Sequence, residues 1–249
     1  MRMLLILALV VASPAAANQL NPLTPLSRVA KPSYADYARL GLTGVNKPDG
    51  MFYRLRTGIT PELPPSIPRR LFGCDLVLAD SLPDGFLTLY KSPYIAGRAN
   101  SGYQAALYSR KGDELWRLNL SSFLSRPTEL EVQDMHFTGG QLVFNEACIT
   151  YPSEAQGQCS ALISLDPVSQ RETWRTAHLI SNNIFLVHGD RIYAGYGFTG
   201  EEDYLHILDA ASGRLLSKTK LDSAHEYMEI KGDVLVTVTY RSVYTFPLP

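Results

Sequence analysis

The chain has 249 residues, 45% hydrophobic and 19% charged, which is enough to bury a sizeable core. Its 23 Lys and Arg stand against 24 Asp and Glu, a net charge of −1. That balance argues against a nucleic-acid partner, whose capture needs a clustered basic surface. Beyond residue 17 there is no apolar run long enough for a transmembrane helix.

Residues 1–17, MRMLLILALVVASPAAA, read as a signal peptide. Arg2 precedes an apolar stretch from Met3 to Ala12, Pro14 breaks it, and Ala15-Ala16-Ala17 offers a cleavage site. The expected destination is the periplasm or the outside of the cell. With no Cys at the cleavage point, no lipid anchor is expected. Residues 18–48 form an N-terminal extension rich in Pro, Ser and Asn, with one short helix candidate, SYADYARLGL, capped by Ser33. The stretch TPELPPSIPRR at 60–70 reads as a linker or long loop.

From Cys74 onward, short apolar strands alternate with turn signals, and helical periodicity is nearly absent. A repeat underlies the alternation. Tight Gly or Asp turns followed by an apolar strand recur as PDGFLTLY (83–90), TGGQLVFN (138–145), HGDRIYAG (188–195) and KGDVLVTV (231–238). A shorter strand precedes each, a third strand follows each, and a fourth appears as ELWRLNL, ETWRTA and LLSKTKL. The expected fold is all-β: a small β-propeller of about four blades, each of four antiparallel strands, at about 74–120, 134–176, 183–221 and 225–249. The last blade lacks its fourth strand, and PDGMFYRLR at 48–56 matches that pattern. An outer strand at 50–56, paired with the C-terminal blade, would close the domain 49–249. The basic residue of each outer strand (Arg54, Arg117, Arg175, Lys218) would block edge-to-edge pairing. A β-sandwich explains the strand spacing but not the matched offset at the two termini.

LISLDPVSQRETW and LHILDAASGRLLS resemble the quinoprotein-type (PQQ-like) repeat, with its Leu-Asp, Gly-containing turn and Trp. The resemblance covers about three units and implies a propeller in which the Trp packs between blades. That family includes quinone-dependent alcohol dehydrogenases and non-catalytic scaffolds. This sequence lacks the adjacent cysteines of the dehydrogenases, so no cofactor is expected, and it lacks the lipidated Cys of the scaffold lipoproteins.

Cys148 and Cys159 bracket a polar loop between two strand-like runs and are the natural disulfide pair in an oxidising compartment. Cys74 reads as a buried small hydrophobe. Connections at one end of the repeat are short, whereas those at the other are long, including SPYIAGRANSG, CITYPSEAQGQC and GFTGEED. Function on rigid scaffolds sits in such loops. Candidate binding residues are therefore Tyr94, Arg98 and Asn100 in the first loop, Tyr151 and Glu154 in the disulfide-closed loop, and Glu202 in the acidic tip Glu201-Glu202-Asp203. His178 and His225, in blade-to-blade connections, could come near each other or near Glu226 and form an acid-base or metal pair. His188, beside a tight turn, and His206, in a strand, suggest no catalysis, Ser181 and Ser223 have no nucleophile-elbow context, and no metal site or catalytic residue stands out. The expected function is a binding or scaffolding module for a protein or peptide. The alternatives are a small enzyme (hydrolase, lyase or quinone-dependent oxidoreductase) or a glycan-binding propeller using Tyr94, Tyr103 and Tyr151.

Overall fold

The computed structural model describes residues 20–32, 58–59, 62–93, 102–127, 129–149 and 151–249. Val, Ile, Leu, Tyr and Phe crowd the runs between turns, and such side chains suit a packed, pleated surface. Among the described residues these runs form strands, with one 3₁₀ turn at Leu120–Phe123 and no α-helix. Three short strands come first: β1 (Ser27–Ala30), β2 (Gly58–Ile59) and β3 (Arg70–Leu71). Sheet I is the meander β4 (Cys74–Leu82), β5 (Gly85–Lys91), β6 (Tyr103–Ser109) and β7 (Glu114–Asn119). Sheet II follows β8 (Leu130–Glu131) with β9 (Met135–Thr138), β10 (Gln141–Cys148), β11 (Ala161–Asp166) and β12 (Arg171–Arg175). Sheet III holds β13 (Phe185–His188), β14 (Arg191–Tyr196), β15 (Tyr204–Asp209) and β16 (Leu215–Lys220). Sheet IV holds β17 (His225–Lys231), β18 (Val234–Thr239) and β19 (Ser242–Pro247). β2 pairs parallel with β4, while β3 adds antiparallel to β4 and β8 to β10.

The repeat survives in detail. The β13–β14 and β17–β18 hairpins turn on Gly189 and Gly232, both at φ +58°, a left-handed conformation that glycine adopts without strain. The pairing of third and fourth strands shifts register once in each of sheets I, II and III. Continuous rather than alternating apolar runs follow from burial on both faces. β5 is buried from Gly85 to Tyr90, and β10 from Leu142 to Cys148. This is a β-propeller, with sheets packed face to face in chain order.

Three apolar clusters join the sheets. Leu78, Leu87 and Leu89 of sheet I meet Met135, Leu142 and Phe144 of sheet II. Val143 and Leu162 meet Phe185 and Ile192 of sheet III. Tyr193, Leu205 and Ile207 meet Met228, Leu235 and Phe246 of sheet IV. Both tryptophans lie between sheets: Trp116 packs at 5.8 Å from Phe137, and a Cβ on Gly213 would lie 2.4 Å from the Trp174 ring. The outward faces of sheets I and IV belong to separate clusters. On sheet I the cover is the Pro-rich stretch. Leu63 and Ile67 are buried against Phe86, Tyr90 and Tyr108, and Tyr90 OH donates to the Pro68 carbonyl at 3.0 Å. The expected linker is a packed cap, because two aliphatic side chains among its prolines find a sheet face.

The termini share sheet IV, and the strand that joins them is β1. Ser27 to Ala30 pair antiparallel with Thr245 to Ser242, flanked by Leu26 N to Thr245 O at 2.7 Å and Lys31 N to Arg241 O at 2.8 Å. Position 50–56 was expected there; that segment, like Arg54 and the helix candidate at 33–42, lies outside the described residues, and β1 takes the edge of β19. Just before β1 the chain crosses sheet III, where Leu23 N donates to Thr219 Oγ1 at 2.7 Å and the Leu23 side chain enters the cluster between sheets III and IV.

The described basic residues of the outer strands, Arg117, Arg175 and Lys218, each make contacts of their own. Arg175 reaches the fully buried Glu146 at 2.8 Å and donates to the Phe123 carbonyl at 2.7 Å. Arg117 lies over Phe72, and Lys218 over Tyr204. A buried carboxylate needs such partners, and Ser125 adds two donors to Glu146.

A second set of contacts between sheets is polar. Lys91 of sheet I pairs with Glu131 at 3.0 Å, and Gln133 Nε2 donates to Glu131 at 2.7 Å. Asn183 N donates to Gln133 Oε1 at 2.5 Å, and Asn183 Nδ2 to the His225 carbonyl at 3.3 Å. The buried His225 ring donates from Nε2 to the Ile184 carbonyl at 3.1 Å. Its Nδ1 lies against the Gly195 backbone, where a Cβ would sit 2.2 Å away. Burial lowers both His225 and His206 to about 4 from 6.5, because a charged ring there loses its hydration.

Two outcomes follow. Removing residues 20–30 strips β19 of its outer partner, leaving β18 on its other side, and sheets III and IV of their strap. A lower Tm and concentration-dependent association in light scattering are expected, since an unpaired edge recruits other strands; a monodisperse variant with unchanged Tm would refute the strap. The second concerns acid. Between pH 6.5 and about 4 the unfolded chain protonates His206 and His225 while the folded chain does not, so stability falls as pH drops through that window. Each shift is worth about 3 kcal/mol in the limit. The raised carboxyls of Asp203 and Glu226 work in the opposite sense and soften the slope. Thermal melts from pH 7 to 4.5 should show Tm falling, and less steeply in His225→Gln, which can still donate to Ile184.

Candidate ligand-binding clefts at the long-loop end

Meander parity sends the β10–β11 loop, the β14–β15 loop, the β18–β19 turn and the connections between sheets to one end. Three clefts, of about 290, 280 and 310 Å³, open among the described residues there. The first lies over the disulfide loop, lined by Glu129, Ile149, Tyr151 and Glu154. The second runs from Tyr151 to Phe198 and Tyr240 over Asn182 and Asn183. The third continues from Phe198 and Tyr240 to Glu201, Asp203, Asp222 and Arg241. Shared walls make them a row with Tyr151, Phe198 and Tyr240 as its aromatic posts.

The loops are held from beneath. Cys148 and Cys159 form the expected disulfide, with Cα atoms 5.2 Å apart, closing a loop worth ~3 kcal/mol in the chain-entropy model. Asn182 grips the start of the β14–β15 loop with both side-chain ends, donating to the Gly197 carbonyl at 3.2 Å and accepting from its amide at 3.0 Å. Asn145 Nδ2 donates to the Asn183 carbonyl at 2.8 Å, while its Oδ1 accepts from Gln133 N and Asp134 N. Above this floor, Tyr151 is 48% exposed and Tyr240 62% exposed, and the Phe198 ring sits 6.2 Å from that of Tyr151.

The third cleft is acidic. Burial raises Asp203 to about 6, and the neighbouring charges of Asp222 and Glu201 push the same way. Its Oδ1 takes no hydrogen bond among the described residues, although the residue is only 9% exposed. Glu201 accepts from Tyr196 OH at 2.6 Å. Burial pushes Asp222 up, but hydrogen bonds from Ser242, Thr239 and Arg28 outweigh it and hold the carboxyl low.

Of the residues expected at a site, Tyr151 and Glu154 line the row. Tyr94, Arg98 and Asn100 lie outside the described residues. Glu202 is exposed, pairs with Lys220 at 2.6 Å and accepts from Tyr204 OH, away from the cleft lining. His178 is exposed on its connection, while His225 is sealed in the joint between sheets III and IV, so the two do not make an accessible acid-base pair. Glu226 is tied to Lys31. Tyr103, expected as an aromatic platform, is fully buried in the core between sheets I and II. Cys74 is free and buried, and burial raises its thiol, as expected of an inert cysteine. The sequence named Asp203 only as part of the acidic tip and did not pick out Phe198, Asp222, Tyr240 or Arg241, although Phe198 and Asp222 lie in long connections of that end.

No family model and no curated protein matches the sequence. Among solved structures, the chain is similar to a Dos1 propeller at 11% identity and TM-score 0.46, over 66% of this chain and 38% of that one. It is similar to a protein of unknown function from Bacteroides caccae at 13% identity and TM-score 0.46, over 68% and 57%. It is also similar to a quinohemoprotein alcohol dehydrogenase from Pseudomonas putida HK5 at 13% identity and TM-score 0.40, over 70% and 39%. The chain thus spans less than two thirds of each of these structures, and the likeness concerns the fold.

Proposed function

We propose that this protein is an exported binding or scaffolding propeller, with sheets I to IV as its four blades, whose protein or peptide partner docks on the long-loop end. The observation that carries the reading is the row of aromatic side chains, Tyr151, Phe198 and Tyr240, standing on a floor fixed by Asn182, Asn183 and a disulfide. Exposed aromatics on a rigid base supply contact area at low entropic cost, as binding surfaces require. Export is supported by the leader pattern at 1–17 and by the disulfide, which persists in oxidising compartments. Membership of the quinoprotein-type repeat is supported by Trp116 and Trp174 between sheets. A hydrolase built on His225 is disfavoured, since its ring is buried in the joint between sheets III and IV with Nε2 on the Ile184 carbonyl.

The test is capture of partners from the exported fraction of the source cells. Tyr151→Ala with Tyr240→Ala should abolish capture and move Tm by no more than about 2 °C, since both side chains are solvent-exposed. Asp190→Ala with Asp233→Ala, at the short-turn end, should leave capture intact. Equal capture by wild type and the Tyr double variant would overturn the reading.

A further inference from the structure

We infer that the third cleft receives a basic side chain, a lysine or arginine on an extended segment of the partner lying along the Tyr151–Phe198–Tyr240 row. The inference rests on the reading of the loop end as a binding surface and names what that surface selects.

Charge is the first ground. Glu201, Asp203 and Asp222 face the cleft against Arg241 alone, and Glu129 and Glu154 extend the acidic character along the row. Asp203 is the distinctive member: nine-tenths buried, with Oδ1 lacking a hydrogen-bond partner among the described residues. Buried carboxylates with structural roles are normally saturated with donors, so this one has capacity to spare. The second ground is aromatic. Phe198 and Tyr240 border the same cavity, and a cation is stabilised over an aromatic face as well as beside a carboxylate. The volume, about 310 Å³, is at the small end for ligand sites and suits one long side chain.

An organic cation fits better than a metal ion. Glu201 is engaged by Tyr196 OH, and Asp222 by Arg28, Ser242 and Thr239. Among the described residues no three His, Cys, Asp or Glu side chains converge on a common point. A guanidinium or ammonium needs no such convergence, because it is satisfied by one carboxylate and a ring. Binding should depend on pH through Asp203. The groups facing it are Glu201 on its own loop, Asp222 on the connection to sheet IV, Arg241 on the β18–β19 turn and Lys220 at the end of β16. Burial, reinforced by the charges of Asp222 and Glu201, favours the protonated carboxyl, which cannot pair with a cation, so affinity should weaken as pH falls below about 6.

The experiment is an amide NMR titration of the full mature protein with N-acetyl-lysine methylamide, N-acetyl-arginine methylamide, the isosteric norleucine compound and Ca²⁺. Saturable shifts at residues 197–203, 222–224 and 240–241 are expected with the lysine or arginine probe, and at least about tenfold weaker shifts with norleucine. Asp203→Asn should weaken the cation probe about fivefold or more, as should Phe198→Leu, which keeps the inference testable if the first variant misfolds. Lowering pH from 7.5 to 5.5 should weaken wild type but not Asp203→Asn. Norleucine binding as well as lysine would overturn the cation receptor while leaving an apolar docking row in place. Ca²⁺ shifting these amides while lysine does not would replace it with a metal site. Silence from every probe would also overturn it, whereas the proposed function fails only if partner capture survives loss of Tyr151 and Tyr240.

Discussion

The relative placement of the sheets depends on a run of polar contacts, from Lys91 through Glu131, Gln133 and Asn183 to His225, that crosses all three sheet junctions. Apolar burial drives the sheets together, but it is non-directional and tolerates sliding. Hydrogen bonds between buried groups do not, because a small displacement leaves a donor or acceptor unsatisfied in a medium that cannot replace it. Gln133 carries this constraint in both directions, donating to Glu131 on one side and accepting from Asn183 on the other. Asn145 repeats the device, holding Gln133 and Asp134 of its own sheet and Asn183 of the next. Asn183, where three of these bonds meet, lines the second cleft, so the bonds that register the sheets also fix part of its floor. Fold specificity and site rigidity thus have one physical origin.

Much of the fold could be read from residues whose local chemistry admits one solution. Gly189 and Gly232 mark hairpins because few other residues accept their backbone conformation. Cys148 and Cys159 mark their own loop. What escaped were segments whose order comes from elsewhere. β1 is four exposed residues, SRVA, with no apolar pattern of its own, and β19 supplies the ladder that makes it a strand. Leu63 and Ile67 look like punctuation in a proline run until sheet I gives them a face. Arg175 looks like an edge charge until Glu146 is seen beneath it.

The site was legible as a region and opaque as a set of residues, for a physical reason. Loop length shows which end of each sheet is elaborated, so Tyr151 and Glu154 fell out directly. Which side chains converge depends on how three sheets are splayed, and no local pattern encodes that. Tyr240 sits in one of the shortest connections of that end, and it reaches the row only because sheet IV brings its turn beside the β14–β15 loop. The histidines misled for the converse reason. His225 carries a reactive group, yet its Nε2 is held by the carbonyl of Ile184, just ahead of sheet III, and the ring is buried.

Two buried aspartates show how the molecule separates structure from site. Asp134 accepts from the amides of Met135 and Phe185 and contacts the His136 ring, so its charge is spent on joining sheets II and III. Asp203 is also buried, yet its Oδ1 takes no hydrogen bond among the described residues and lies close enough to Gly197 that a Cβ there would be 1.9 Å away. Burying a carboxylate without donors costs stability, and placing it near Asp222 and Glu201 costs more. Folding alone gives no reason to keep such a group, whereas a surface that must favour a positive charge does. Local departures from good packing chemistry concentrate where a protein meets something other than itself. Among the buried polar atoms of the described residues that lack a hydrogen-bond partner, Asp203 Oδ1 belongs to the one residue that lines a cleft, in the same wall as Phe198 and Tyr240.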